Sequence, residues 1–92
     1  MIYTIIVSKE AGEDFQLLKK YEISAYNKLM RLFDELQEHP RRGTGKPKSL
    51  KYGKFKGMWS RRITQKHRLI YEICDEKITV LVLAVHGHYD DN

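Results

Sequence analysis

Cysteine is almost missing from this chain: Cys74 stands alone, which excludes an internal disulfide and any metal site built from cysteines. Because Cys74 lies in an apolar, strand-like run, it is expected to be an inert core thiol. Long apolar stretches are missing too. None approaches the roughly 18 residues needed to cross a bilayer. Residues 1–7 are apolar but too short for a signal-peptide core, and they have no basic leader. A cytoplasmic protein without a membrane partner is the expectation. With 92 residues there is room for one domain, spanning 1–92, and for little else. No GxSxG or HExxH pattern and no glycine-rich phosphate loop ahead of a helix occurs, which sets aside serine, zinc-protease and nucleotide-hydrolysing chemistry. His86 and His88 are two positions apart, but a zinc site needs three or four ligands and the nearest other histidine, His67, adjoins the cation Arg68. No metal and no cofactor is expected.

Acidic residues are absent from one particular segment. Between positions 41 and 68 the chain carries Arg41, Arg42, Lys46, Lys48, Lys51, Lys54, Lys56, Arg61, Arg62, Lys66 and Arg68, with no Asp or Glu among them. The whole chain has a formal charge of +5 and a pI near 9.4. A run of cations without compensating carboxylates favours a polyanionic partner through counterion release.

What is present reads as an α+β protein. Residues 2–7 are mostly β-branched or aromatic and end at Ser8, a good helix cap, so they predict an opening strand followed by a helix. Ala11, Phe15 and Leu18 then share one face at helical spacing. Ser24 offers a second cap, and Ala25, Leu29, Leu32, Phe33 and Leu36 trace a second stripe that Pro40 should end. Residues 40–47, with Gly43 and Gly45, read as a mobile basic loop. From there the period changes from 3.6 to 2. Residues 58–63 set Trp59, Arg61 and Ile63 against Met58, Ser60 and Arg62. Residues 68–74 set Leu69, Tyr71 and Ile73 against Arg68, Ile70, Glu72 and Cys74. After a polar turn at 75–77, residues 78–85 are apolar enough for a central strand buried on both faces. The predicted order is β-α-α-β-β-β, two helices packed on one face of a largely antiparallel sheet.

A basic cluster together with Arg68, His88 and Tyr89 at neighbouring strand ends is suited to metal-free RNA cleavage. There a 2′-hydroxyl attacks the adjacent phosphorus. A base must take its proton, an acid must protonate the departing 5′-oxygen, and fixed cations must hold the charge that builds on phosphoryl oxygens. Histidine titrates near neutrality, arginine clamps two phosphate oxygens, and aromatics stack on unpaired bases.

The run Gly57-Met58-Trp59-Ser60-Arg61-Arg62-Ile63-Thr64, followed by His67-Arg68-Leu69-Ile70-Tyr71, resembles the YoeB toxins of the RelE/ParE superfamily. So do Gly43-Thr44-Gly45-Lys46-Pro47, with Leu50 and Lys51 after it, and the closing His88-Tyr89. The resemblance implies a fold like the microbial ribonucleases and ribosome-dependent cutting of mRNA. It also implies neutralisation by a cognate antitoxin, for which so cationic a surface suggests an acidic segment that folds on binding. A homodimer is one state open to the free toxin. By position, the resemblance makes Arg68 the phosphate-binding arginine, His88 the general acid and Tyr89 the aromatic that positions substrate. Lys46, Lys51, Arg61 and Arg62 are the expected RNA contacts. The chain departs from the family pattern in three ways. Lys48 stands where these toxins place a glutamate base, His86 where they place a basic residue, and Asp90, Asp91 and Asn92 extend past the usual end. Lys48 is therefore carried as a catalytic candidate with its role open, between a partly neutral base and a phosphate-stabilising cation. Two alternative functions are a catalytically weak RNA- or antitoxin-binding homologue and, on weaker grounds, a ParE-type gyrase inhibitor.

Overall fold

The computed structural model describes residues 2–86. β1 (Thr4–Val7) leads into α1 (Lys9–Tyr21) through Ser8. The Ser8 hydroxyl accepts from the Ala11 N–H at 3.1 Å and donates to the Leu83 carbonyl at 2.9 Å, so one side chain both caps the helix and ties it to a strand. Ala11, Phe15 and Leu18 are the buried positions of α1, as their spacing predicts. Lys19 and Lys20 occupy its last turn, where the helix dipole favours cations.

The second helix starts earlier than its capping signal suggests. α2 runs from Ile23 to Glu38, with Glu22 rather than Ser24 at its N-cap and no side-chain cap bond. The Glu22 N–H donates to Leu18 O (2.7 Å) and its carbonyl accepts from Tyr26 N–H (3.1 Å), so this residue closes one helix and opens the next. Ser24 falls inside the first turn because the two backbone bonds leave no room for a longer link. The α2 stripe buries Ala25, Leu29, Leu32 and Leu36, and Phe33 meets Phe15 with ring centroids 5.5 Å apart. His39 closes the helix just before Pro40.

The sheet has five strands in the order β1-β5-β4-β3-β2, one more than the sequence pattern indicates. The extra strand is the two-residue edge β2 (Lys48–Ser49), paired antiparallel with β3 (Trp59–Arg62). β3 pairs antiparallel with β4 (Arg68–Cys74), and β4 with β5 (Thr79–His86), while β1 lies parallel to β5. Both helices cover one face. Leu29, Leu36, Ile63, Leu69, Tyr71, Val80 and Val82 are fully buried between the layers.

A register shift between β4 and β5 decides which residues meet that core. Ile70 pairs with Ala84 and Tyr71 with Val82, leaving Leu83 as an inserted residue on β5. A bulge of one residue switches the face of everything beyond it. Val80 and Val82 before the bulge and Val85 after it therefore join the same core cluster. β1 ends opposite Val82, and past that point α1 completes the strand edge: the Asp14 carboxylate accepts the Val85 N–H at 3.0 Å. Cys74, expected in the core, is only half-buried. It ends β4 on the side away from the helices, beside Glu72, Thr79 and Leu81.

Candidate RNA-binding face

The helix-free face of the sheet collects three cations of the basic run. Directly opposite residues on antiparallel strands share a face. The pairs Lys48 with Ser60, Ser60 with Ile70, and Arg62 with Arg68 therefore set Lys48, Arg62 and Arg68 on one side around Ser60. Arg68 Nη1 lies 3.5 Å from Ser60 Oγ, too long a contact to hold the guanidinium in one direction. Lys46, Lys48, Lys51 and Arg62 are exposed and Arg68 is half-buried. Arg68 pairs in register with His86, the last residue of β5. His88 and Tyr89, the expected acid and positioning aromatic, lie outside the described residues.

Arg61 corrects the expectation that it contacts RNA. Its side chain is 0% exposed and belongs to the opposite face. Nη1 meets Glu35 Oε1 at 3.1 Å, and Nη2 donates to the carbonyls of His39 and Arg42 at 2.9 Å each. A buried guanidinium is tolerable only with such partners. Here the partners are the end of α2 and the loop that follows it. Arg61 is therefore the tie that holds residues 39–44 against β3.

The same tie explains the two glycines of the loop. Glu35 Oε1 also accepts the Thr44 N–H at 2.7 Å. Hydrogen bonding from Thr44, reinforced by the Arg61 charge, holds the Glu35 carboxyl below the usual glutamate range. Gly43 has φ 118° and Gly45 φ 89°; a Cβ would strike Glu35 Oε1 at the first and the Arg62 carbonyl and Arg61 Cγ at the second. The Gly45 carbonyl then accepts the Arg62 N–H at 2.7 Å, so the chain runs along β3 into β2 and delivers Lys46 and Lys48 beside Arg62. The segment expected to be mobile is thus hydrogen-bonded at both ends. Arg41 is also diverted from the site: it forms a two-pronged ion pair with Asp75 (2.7 and 3.2 Å), which in turn accepts from the Tyr3 hydroxyl at 2.7 Å.

His67, next to Arg68 in sequence, is buried and takes part in the turn rather than the open face. Its Nδ1 lies 2.8 Å from Thr64 Oγ1, and its Nε2 lies 3.3 Å from a Glu22 carboxylate oxygen, joining the β3–β4 turn to the junction of the helices. Ser60 and Glu35 are the residues that a reading of the sequence passes over. Ser60 shares the alternation of Arg62, so its face was legible. Glu35 sits 26 positions from Arg61 with no local signal. Among the described residues no group of three or more His, Cys, Asp or Glu side chains is placed to hold a metal ion, and no helix is long and apolar enough to cross a membrane.

Comparison with known proteins identifies the family. Residues 7–89 match the family model described as the YoeB-like toxin of bacterial type II toxin-antitoxin systems. Toxin YoeB of Escherichia coli K12 is 34% identical over 85 residues, covering 92% of this chain and 98% of that protein. The fold is similar to the YoeB/ParE toxin from Agrobacterium tumefaciens, with a TM-score of 0.82 and 27% identity over 94% of this chain and 99% of that one. It is also similar to the toxin in a heterotetrameric YoeB-YefM toxin-antitoxin complex from Staphylococcus aureus, with a TM-score of 0.78 and 27% identity over 97% of this chain and all of that one. A shared family model over nearly the whole length, on a sheet whose open face gathers Lys48, Arg62 and Arg68, leads to one conclusion: the chain belongs to the YoeB-like toxins of bacterial type II toxin-antitoxin systems.

Proposed function

We propose that this toxin is a cytoplasmic, ribosome-dependent endoribonuclease that cuts mRNA without a metal ion. The observation that carries the reading is the strand register that brings Lys48, Arg62 and Arg68 together around the buried Ser60 on the face away from the helices. Three cations, none with an ion-pair partner among the described residues, suit a phosphodiester whose negative charge grows during reaction. In the step proposed, the 2′-hydroxyl gives its proton to solvent water and its oxygen bonds to the adjacent phosphorus. The bond from phosphorus to the 5′-oxygen breaks, leaving a 2′,3′-cyclic phosphate, and His88 supplies the proton that the 5′-oxygen takes. Arg68 clamps the phosphoryl oxygens, Arg62, Lys46 and Lys51 hold flanking phosphates, and Tyr89 positions the substrate. Lys48 stabilises phosphate charge rather than acting as the base. The partner proposed is an antitoxin whose acidic segment folds over the same cations, as the complex of the S. aureus relative with YefM suggests.

The test is mRNA integrity in a cell-free translation system. Arg68→Ala and His88→Ala should each slow cleavage on the order of 100-fold or more, the usual cost of losing a group that acts in the transition state, while both proteins stay folded and bind antitoxin. Undiminished cutting by a folded Arg68→Ala protein removes the mechanism, and gyrase poisoning in place of mRNA loss removes the ribonuclease reading itself. For Lys48, the glutamate substitution should speed cleavage by supplying a base. A slower Lys48→Glu protein together with an inactive Lys48→Gln protein makes Lys48 itself the base.

A further inference from the structure

The loop between β2 and β3 carries cations and aromatics in alternation: Lys51, Tyr52, Gly53, Lys54, Phe55, Lys56. The site described above uses only Lys51 from this stretch. Tyr52 is 88% exposed, the highest among the exposed large apolar and aromatic side chains of the described residues. A single exposed aromatic is ordinary on a protein surface. This one stands on a loop with its own hydrogen-bonded frame. Leu50 N–H donates to Met58 O and Gly57 N–H to Leu50 O, both at 2.8 Å, which close the base of the loop. Lys56 N–H donates to Gly53 O at 3.2 Å and Met58 N–H to Phe55 O at 2.9 Å, which form two successive turns within it. Gly53 and Gly57 have φ of 80° and 88° with open space where a Cβ would be, so they serve the backbone turns and not close packing.

The side chains sort by role on this frame. Phe55 is half-buried, with the Lys54 ammonium 5.5 Å from its ring centre. Lys51, Tyr52, Lys54 and Lys56 point to solvent. A groove of about 270 Å³, lined by Lys48, Ser49, Leu50, Lys51 and Tyr52, runs from the tyrosine to the lysine of the cationic face. An exposed ring flanked in sequence by lysines, lining a groove that Lys48 of the cationic face also lines, matches what a single-stranded nucleic acid presents: a flat base flanked by phosphates. A membrane surface would call for a broader apolar patch, and an acidic peptide would leave the ring unused.

We propose that the β2–β3 loop is a second RNA subsite, in which Tyr52 stacks on one unpaired base while Lys51, Lys54 and Lys56 hold its neighbouring phosphates. That RNA is the ligand rests on the ribonuclease reading. The subsite extends the strand beyond the scissile phosphate and adds affinity that the open face alone does not supply. Its source is the mRNA or a ribosomal RNA loop; the chemistry is the same.

The experiment uses the full-length chain and a 2′-O-methyl RNA oligomer bearing one 2-aminopurine, which cannot be cut through 2′-attack and whose fluorescence drops on stacking. Tyr52→Ala should weaken binding about tenfold or more at every salt concentration and abolish the quench, whereas Tyr52→Phe keeps both within about twofold. Lys54→Gln and Lys56→Gln should instead each lower the slope of log affinity against log salt by about one. Parallel measurements on vacant and mRNA-carrying ribosomes assign the source: a loss on both means ribosomal RNA, and a loss only on the programmed ones means mRNA. Equal affinities of parent and Tyr52→Ala for oligomer and ribosomes overturn the subsite. So does a Tyr52→Ala defect confined to the antitoxin, which would make the loop a protein contact. A parent chain that stacks the probe but cuts no mRNA keeps the subsite and removes the ribonuclease reading; a parent that binds neither RNA nor ribosomes removes both.

Discussion

Arg61 and Arg62 are neighbours in the chain with identical side chains, and they do opposite things. Arg61 is enclosed and bonded to Glu35 and to the carbonyls of His39 and Arg42, while Arg62 is exposed beside Lys48 and Arg68. The alternation of β3 is the whole cause: one residue of shift turns a side chain from the helix layer to the open face. A guanidinium suits both places because it cannot be deprotonated. In the interior it acts as a fixed cross-link, and outside as a fixed charge. The two faces of the sheet differ in the same way, one spending its cation on holding the loop and the other leaving its cations for a ligand.

Exchanging the roles of this pair is the sharpest way to break the comparison. Arg61→Met should cost about 3 kcal/mol or more of stability, because two carbonyls and the Glu35 carboxylate lose their donors at once. In a domain of this size that lowers the melting temperature by more than roughly 10 °C. The salt slope of RNA binding, measured well below the melting point, should change only through the loosened loop that carries Lys46 and Lys48. In a background with both lysines changed to Gln, a further drop on Arg61→Met would mean that Arg61 does reach RNA.

A smaller effect is expected where the loop is anchored a second time. The Tyr71 hydroxyl, pushed up in pKa by burial, donates to the Pro40 carbonyl at 2.7 Å. Tyr71→Phe removes that bond while keeping the ring, and calorimetry should register a loss of about 1 kcal/mol. No loss would mean that Arg61 alone holds the loop.

Arg62→Gln is the mirror experiment. Chemical denaturation should show stability unchanged within about 0.5 kcal/mol. The salt slope of RNA binding should fall by about one, as for the loss of one phosphate contact. A stability change larger than this would give Arg62 a structural role and dissolve the contrast with Arg61.

The smallest expected effect depends on pH. Glu35 titrates below its ordinary range when folded, because Thr44 and Arg61 bind its charged form. Its contribution is therefore complete above the unfolded-state pKa of about 4.3 and is lost as pH falls through the depressed folded value. Glu35→Gln should be less stable than the parent at neutral pH, and the difference should close in that acid window. A gap that persists at lower pH would show that the charge of Glu35 is not what secures Thr44 and Arg61.

Sequence patterns alone determined the two helices, the three long strands after residue 57, and the cationic run. Amphipathic spacing and alternation are local, and Ala11, Phe15, Leu18 and the α2 leucines report it directly. Residues 43–71 and 88–89 also carry the family resemblance. The pattern even grouped Arg61 with Trp59 and Ile63, so its burial was legible. Its exclusion from the RNA contacts is not legible, because the partners that make burial tolerable, Glu35 and two carbonyls, lie 19 to 26 residues away. Only the tertiary structure decided the parallel pairing of β1 with β5, the short β2 that turns Lys48 toward Ser60, and the bulge at Leu83 that keeps Val85 in the core. Each depends on which backbone groups remain to be satisfied once the layers pack, and that accounting is made between segments rather than within them.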